Sequence, residues 1–287
     1  MARYARPRSV EEALGLLAEG RWRMLAGGTD FYPALGAAPL TQDVLDLSRL
    51  GAELAGISET ASHHVIGALT CWTDIARADL PPAFDALRQA AREVGSPQIQ
   101  NRATVAGNLC NASPAADGVP PLLALDAEVE LRSQGCRRLA PLAAFVLGNR
   151  RTALAAGEVM TAIRVPKTAA RGRSAFVKLG ARRYLVISIA MAAARILVGA
   201  DGRVAHAAVA VGACSPVARR LPGLETALVG MQAAALSPEI VDERHLEGLT
   251  PIDDVRGTAA YRLAAVREIV GRALRAAGGP HIREAAA

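Results

Sequence analysis

The chain has 287 residues, 51% of them apolar and 21% charged, a composition that excludes a disordered or fibrous protein and leaves one large globular domain or two ordinary ones. Its net charge of +6 comes mostly from scattered arginines, and only 3% of residues are aromatic. That leaves neither a banked basic surface nor base-stacking platforms, so nucleic-acid binding is not expected.

In chain order, Ser9 and Glu12 make a capping box ahead of "ALGLLAEG", which predicts a short helix closed by Gly20. "RWRMLAGGTD" predicts a strand running into a glycine turn. "DVLDLSRL" and "HHVIGALTCW" predict further short strands, the second opening into a helix near Thr73. "AFDALRQAAREVG" repeats Phe84, Leu87, Ala91 and Val94 at helical spacing and stops at Gly95. "AEVELRSQGCRRLAPLAAF" reads as a hairpin, and "GEVMTAIRVP" as a strand ending at Pro166.

Within the polar stretch "KTAARGRS" (167–174), residues 169–174 form the expected linker between a domain of residues 1–168 and one of residues 175–280. Beyond it, two long β segments flank the turn Asp201-Gly202. Three helical pieces follow: "ARRLPGLETALVG", "SPEIVDERHLEG" and "GTAAYRLAAVREIVGRALRAAG". The last carries Tyr261, Leu263, Val266, Ile269, Val270 and Leu274 on its apolar side. "HIREAAA" (281–287) reads as a frayed tail. The whole predicts two α+β domains without an internal repeat.

Cys71, Cys110, Cys136 and Cys214 have no C-x-x-C spacing, so no metal or iron–sulfur site is expected in this chain. They suit buried, reduced thiols in a cytoplasmic protein. "MARYARPRSVEEAL" has charge but no apolar h-region, and "YLVISIAMAAARILVGA" is broken by Arg195 and too short to span a bilayer.

Two stretches carry the chemistry. In "LAGGTD", Leu25 to Asp30, adjacent glycines after a strand permit positive φ and close backbone approach, so successive N–H groups can form an anion nest beside the Thr29 hydroxyl. Alone it is also compatible with a simple tight turn. "TVAGN", Thr104 to Asn108, again sets a glycine, a hydroxyl and an amide at a turn, with Ala103 and Ala106 keeping bulk away. Together they offer neutral donors for a pyrophosphate, and Asp117 can accept from sugar hydroxyls. There is no G-x-G-x-x-G and no G-x-x-x-x-G-K, so this is neither a Rossmann nor a P-loop site.

"AGGTD" and "ATVAGNLCNASPAADGVPPLLALDAEVEL" resemble the flavin-binding medium subunit of the molybdenum hydroxylases, the group of carbon monoxide dehydrogenase and xanthine dehydrogenase. The resemblance covers nearly the whole chain and includes "GSPQIQNRATVAGN", "GEVMTAIRVP", "FVKLGARR" and "DDVRGTAAYR". It implies a two-lobed FAD-binding domain of the vanillyl-alcohol-oxidase (PCMH) type and a C-terminal domain with an antiparallel sheet and helices. Leu25, Ala26, Gly27, Gly28, Thr29, Asp30 and Phe31 would then wrap one side of the pyrophosphate and ribityl chain, and Thr104, Gly107 and Asn108 the other. Asn111 and Asp117 would bind polar parts of the cofactor. Ile99 and Ala103 would line the adenosine side, and Met160 would be a strand contact. Lys178 would reach in from the second domain toward the flavin ring, where a cation favours the anionic reduced form.

Two departures stand out. Many relatives carry two glycines before the asparagine, whereas this chain has Ala106 at the first; an ordinary φ there would leave the loop intact. Some relatives place an aromatic over the ring. The nearest matching position here is Ile187, with Tyr184 three residues earlier, and the sequence leaves open which shields it. The four-cysteine insertion of one branch of the family is missing, which implies that electrons come from a separate subunit.

The resemblance thus implies an electron-transfer flavoprotein with FAD as its redox group. It would sit beside a molybdopterin-containing large subunit and an iron–sulfur small subunit with [2Fe–2S] clusters, in a dimer of heterotrimers. NAD, a quinone or dioxygen would be the acceptor. The alternative is a stand-alone FAD-dependent oxidase or reductase, which needs its own base over the ring. His63, His64, His206, His245 and His281 read instead as surface or packed residues. A subunit that has lost FAD is the third reading, and the intact loops argue against it. Trp22 and Trp72 read as core or domain-interface residues; Cys110 sits within the cradle, where it reads as a packing thiol rather than a group approaching the flavin. Arg182 and Arg183 suit an acidic partner and a solvated turn equally.

Overall fold

The computed structural model describes residues 2–279; the expected tail, with His281, lies outside them. The chain begins with β1 (Tyr4–Ala5), α1 (Val10–Glu19), β2 (Arg23–Leu25), β3 (Val44–Asp46) and α2 (Gly51–Leu54). The Ser9 hydroxyl accepts the Glu12 N–H (3.1 Å), and the Glu12 carboxylate takes the N–H of Arg8 (2.7 Å), so the returning arm of the capping box lands one residue early. The three strands form a small parallel sheet, order β1-β3-β2. Val10, Ala13, Leu14 and Leu17 of α1 close its core against Leu45, Leu47 and Leu50.

A second lobe follows: β4 (Ile57–Glu59), β5 (His63–Gly67), α3 (Trp72–Arg77), α4 (Asp85–Glu93), α5 (Pro97–Gln100), α6 (Val105–Asn111), α7 (Val119–Ala124), β6 (Glu128–Ser133), β7 (Cys136–Pro141), α8 (Leu142–Phe145), β8 (Val146–Gly148), β9 (Arg151–Thr152) and β10 (Val159–Pro166). Its antiparallel sheet runs β4-β5-β10-β6-β7. β10 joins both lobes: Val159 packs in the first core and Met160 in the second. The six residues of α7 are all buried, which explains why its sequence is uniformly apolar rather than amphipathic.

The C-terminal part is a meander of β11 (Arg173–Leu179), β12 (Ala190–Val198), β13 (Val204–Gly212) and β14 (Arg219–Arg220), covered by α9 (Pro222–Leu228) and α10 (Ala259–Gly278). β11 takes in Arg173 and Ser174, the last two residues of the expected linker. Alternate residues of β11 are tied to α4 and its lead-in. The Ser174 hydroxyl donates to Ala83 O (2.7 Å) and accepts from Ala86 N (2.8 Å). Phe176 N donates to the Gln89 side chain (2.7 Å), and Lys178 Nζ to Glu93 O (3.2 Å). This period of two covers an edge strand that would otherwise be open. Buried Arg195 of β12 adds a second tie, donating to Ala124 O at 2.7 Å at the end of α7.

Two expectations need correction. "SPEIVDERHLEG" forms two 3-10 turns, Pro238–Ile240 and Glu243–Leu246, rather than one helix. Asp242 between them is extended and caps the second turn through the His245 N–H, which interrupts helical hydrogen bonding. On α10, Tyr261 is exposed and Arg262 buried. Arg262 is in phase with Val266 and Ile269; its Nη1 donates to Ile189 O and Ala213 O (3.1 Å) and its Nη2 to Asp254 (2.7 Å), while Nε has no partner among the described residues. No helix among the described residues is long and apolar enough to cross a membrane.

Candidate cofactor site

A cleft of about 750 Å³ opens between the loop after β2 and the N-terminal end of α6, within the size range of small-molecule and cofactor sites. Its wall includes Ala26, Gly27, Gly28, Thr29, Asp30, Phe31, Ile99, Ala103, Thr104, Gly107, Asn108, Asn111 and Met160. Two segments some eighty positions apart in sequence thus meet across one space.

The first segment offers its backbone. Among the described residues, none of the N–H groups of Gly27 through Phe31 has an acceptor, although the carbonyls of Gly28 and Asp30 are used by Tyr32 and Ala34. Gly28 is left-handed (φ +80°), which only glycine adopts without strain. Gly27 is required for a different reason: a Cβ there would sit 2.0 Å from Arg102 O. That contact is where the first lobe seats on the second.

The second segment is not a turn. Thr104 is the N-cap of α6, its hydroxyl accepting the Gly107 N–H at 3.0 Å. Asn108 N donates to Thr104 O and Val105 N to Thr70 O, which leaves Ala106 N–H free in the first turn. Ala106 sits inside the helix with an ordinary φ, so the missing second glycine does not disturb the backbone. The sequence alone hides this, because threonine, glycine and asparagine suit a turn and a helix cap alike.

Two buried polar atoms, Asn108 Oδ1 and Trp72 Nε1, have no partner among the described residues; the Asn108 Oδ1 lies toward Gly118, where an added Cβ would come within 3.0 Å of it. The unpaired amides of the first segment, with two glycines that permit close approach, fit the phosphates of a dinucleotide.

Four expected residues lie elsewhere. Leu25 is buried in the sheet behind the loop. Asp117 and Lys178 pair with each other at 2.6 Å, and Ser188 donates to the other Asp117 oxygen at 2.6 Å. Burial pushes the Asp117 carboxyl above its ordinary value, and the Lys178 charge with both hydrogen bonds pulls the other way. This pair stands behind the wall, next in sequence to Gly118, which abuts Trp72 and Asn108. Ile187 and Tyr184 are both exposed on the loop between β11 and β12, and neither is part of the cleft wall.

Other wall residues were not expected from sequence, Arg23, Arg150 and Trp72 among them, while Cys110 lines the wall as its place in the second loop implied. Burial pushes the Cys110 thiol up to about 12, in keeping with a packing role. Gly118 was also missed; a Cβ there would meet the Trp72 ring at 2.4 Å. Its only trace in the sequence is "ADGVPP", which reads as an ordinary turn.

The chain matches known proteins over nearly its whole length. Residues 1–168 match the model of the FAD binding domain in molybdopterin dehydrogenase, and residues 175–277 that of the CO dehydrogenase flavoprotein C-terminal domain. The chain is 31% identical to the carbon monoxide dehydrogenase medium chain of Hydrogenophaga pseudoflava, covering 96% of each. It is 28% identical to the xanthine dehydrogenase FAD-binding subunit of Escherichia coli O157:H7, over 97% of this chain and 98% of that one. Among solved structures, a chain of the Hydrogenophaga pseudoflava carbon monoxide dehydrogenase that lacks the Mo-pyranopterin moiety superimposes with a TM-score of 0.83, at 32% identity and 96% coverage of each chain.

Proposed function

Since the chain belongs to the family of FAD-binding medium subunits of molybdenum hydroxylases, we propose that it is the electron-transfer flavoprotein of such a complex, taking electrons from [2Fe–2S] centres of a small subunit while a molybdopterin-containing large subunit oxidises the substrate. NAD, a quinone or dioxygen is the final acceptor, and the complex is a dimer of heterotrimers in the cytoplasm. Four unpaired cysteines suit that compartment. The two matched ranges are taken as the two domains, with residues 169–174 between them.

The observation that carries this reading is that Gly27 to Phe31 line the cleft and that none of their five amides has an acceptor among the described residues. FAD, when bound, supplies the redox chemistry, and the protein supplies orientation and electrostatics. Gly27 to Phe31 bind the diphosphate and ribityl region from one side, and Thr104, Gly107, Asn108 and Asn111 from the other. Ile99 and Ala103 give an apolar seat for the adenine, with Met160 on the strand beneath. Asp117 and Lys178 support this wall from behind, and their mutual neutralisation weakens any field Lys178 exerts on the ring. A stand-alone oxidase would need a base over the flavin, and among the described wall residues only Asp30 could accept a proton.

An absorbance spectrum of the purified chain, before and after adding FAD, tests the reading. Bands near ~370 and ~450 nm that persist through desalting support it, and bleaching by NADH would select a nicotinamide acceptor. A chain that takes up no FAD even with its partner subunits co-expressed sinks it.

A further inference from the structure

The cleft wall carries two guanidinium groups, Arg23 and Arg150, and one carboxylate, Asp30. The arginines come from opposite sides, Arg23 from β2 and Arg150 from the turn between β8 and β9. Arg23 lies 4.4 Å from the centroid of the Phe31 ring, which keeps it beside the amide loop. Arg150 has a left-handed backbone, φ +57°, a conformation unfavourable for any residue with a Cβ. The strain is held in place from outside: Arg150 N donates to Ala112 O at 2.9 Å, and Ala112 is itself left-handed (φ 47°) at the end of α6. Arg150 Nη1 sits 3.5 Å from Asn111 O, at the rim of the same helix. A hairpin tip of this geometry ordinarily carries glycine or asparagine, so an arginine there calls for a use of its side chain.

Among the described residues neither guanidinium is ion-paired, and both arginines line the same cleft as Gly27–Phe31 and Ala106, whose amides have no acceptor. Neutral amides orient a diphosphate, but they leave its net charge uncompensated. We propose that Arg23 and Arg150 close on the diphosphate of the dinucleotide from the two sides of the cleft, making the cleft selective for FAD over flavins without a diphosphate. This rests on the FAD reading given above. Arginine suits the role because its planar donors match phosphate oxygens.

The test is equilibrium titration of the full, flavin-stripped chain with FAD and, separately, with riboflavin, followed by flavin fluorescence. Arg150→Gly is the informative variant, because glycine accepts the left-handed backbone and keeps the N–H to Ala112. It should melt no lower than the parent chain, bind FAD at least about tenfold more weakly and bind riboflavin unchanged. Arg150→Lys should fall between the two, and Arg23→Gln should show the same FAD-against-riboflavin split. Added sodium chloride should weaken FAD binding in the parent chain more than in Arg150→Gly. FAD affinity within about twofold of the parent's in Arg150→Gly would overturn the proposal. So would an equal loss for riboflavin, which would place Arg150 against another part of the flavin. Failure of the unsubstituted chain to take up FAD even with its partner subunits co-expressed would instead sink the flavoprotein reading, and this proposal with it, before any variant is made.

Discussion

The two loops that meet at the cleft look alike in sequence and work in opposite ways. The loop at "AGGTD" leaves the five amides of Gly27 to Phe31 without an acceptor among the described residues and needs Gly27 and Gly28 for steric and conformational reasons. "TVAGN" spends its hydroxyl and the amides of Gly107 and Asn108 on starting a helix, gives the Val105 N–H to Thr70 O, and holds Gly107 in an ordinary conformation. The first is an exposed nest built for a ligand. The second is a helix cap in which, among the described residues, only the Thr104 and Ala106 amides lack an acceptor, beside the side chain of Asn108. A glycine beside a hydroxyl residue therefore does not say which of the two a loop will be; what its amides are bonded to does.

Substitutions can break or sharpen that contrast. The largest effect is expected behind the second loop. Asp117→Ala strands a buried Lys178, so chemical denaturation should report a loss of about 3–5 kcal/mol. Asp117→Asn combined with Lys178→Met should recover most of it, and a single variant as stable as the parent would remove the pair from the account. Next comes Gly27→Ala. Its Cβ falls on the Arg102 backbone, which cannot rotate away, so a cost of about 1–3 kcal/mol and loss of FAD retention are expected by thermal melting and desalting.

Thr104→Ala removes only a cap, for about 1 kcal/mol, and Thr104→Ser should restore it. Gly107→Ala is the direct counterpart of the Gly27 change. Its Cβ meets the Thr104 hydroxyl at 2.8 Å, a side chain, while alanine gains up to about 1 kcal/mol in helix propensity. Near-neutral stability is expected, and a loss as large as that of Gly27→Ala would abolish the distinction between the loops.

The smallest effect concerns the strand beneath both. Arg138 grips the Glu158 carboxylate at 2.6 and 2.7 Å at the start of β10. Those hydrogen bonds hold Glu158 below its ordinary value of 4.5, with the Ala155 N–H helping and burial opposing. A depressed carboxyl contributes stability above its unfolded value and loses it as pH falls through the folded one. Glu158→Gln should therefore flatten the stability profile only below about pH 4.5. An unchanged acid limb would show that other carboxylates dominate there.

The elements with strong local signals were legible before the fold was seen. The cap at Ser9, the turn at Asp201-Gly202, the strand "GEVMTAIRVP" and the long C-terminal helix all lie where the sequence puts them. Local chemistry specifies such features: a hydroxyl within reach of an N–H, a glycine free of Cβ, a run of β-branched residues. The reading failed where a residue's role depends on what packs against it. Tyr261 looked core-facing by spacing, yet the sheet selected Arg262, whose charge is satisfied by two carbonyls and Asp254 that no local pattern reveals.

By itself the sequence determined the α+β class, most of the elements and the two segments that would form a site, because propensity, capping and hydrophobic period act over a few residues. Only the tertiary structure decided that one segment is a nest and the other a helix cap. It also turned Asp117 and Lys178 to each other and brought Arg23 and Arg150 to one cleft. The Asp117–Lys178 pairing depends on burial, which raises the cost of an unpaired charge until a partner distant in sequence satisfies it, and the cleft depends on which segments the two lobes bring together.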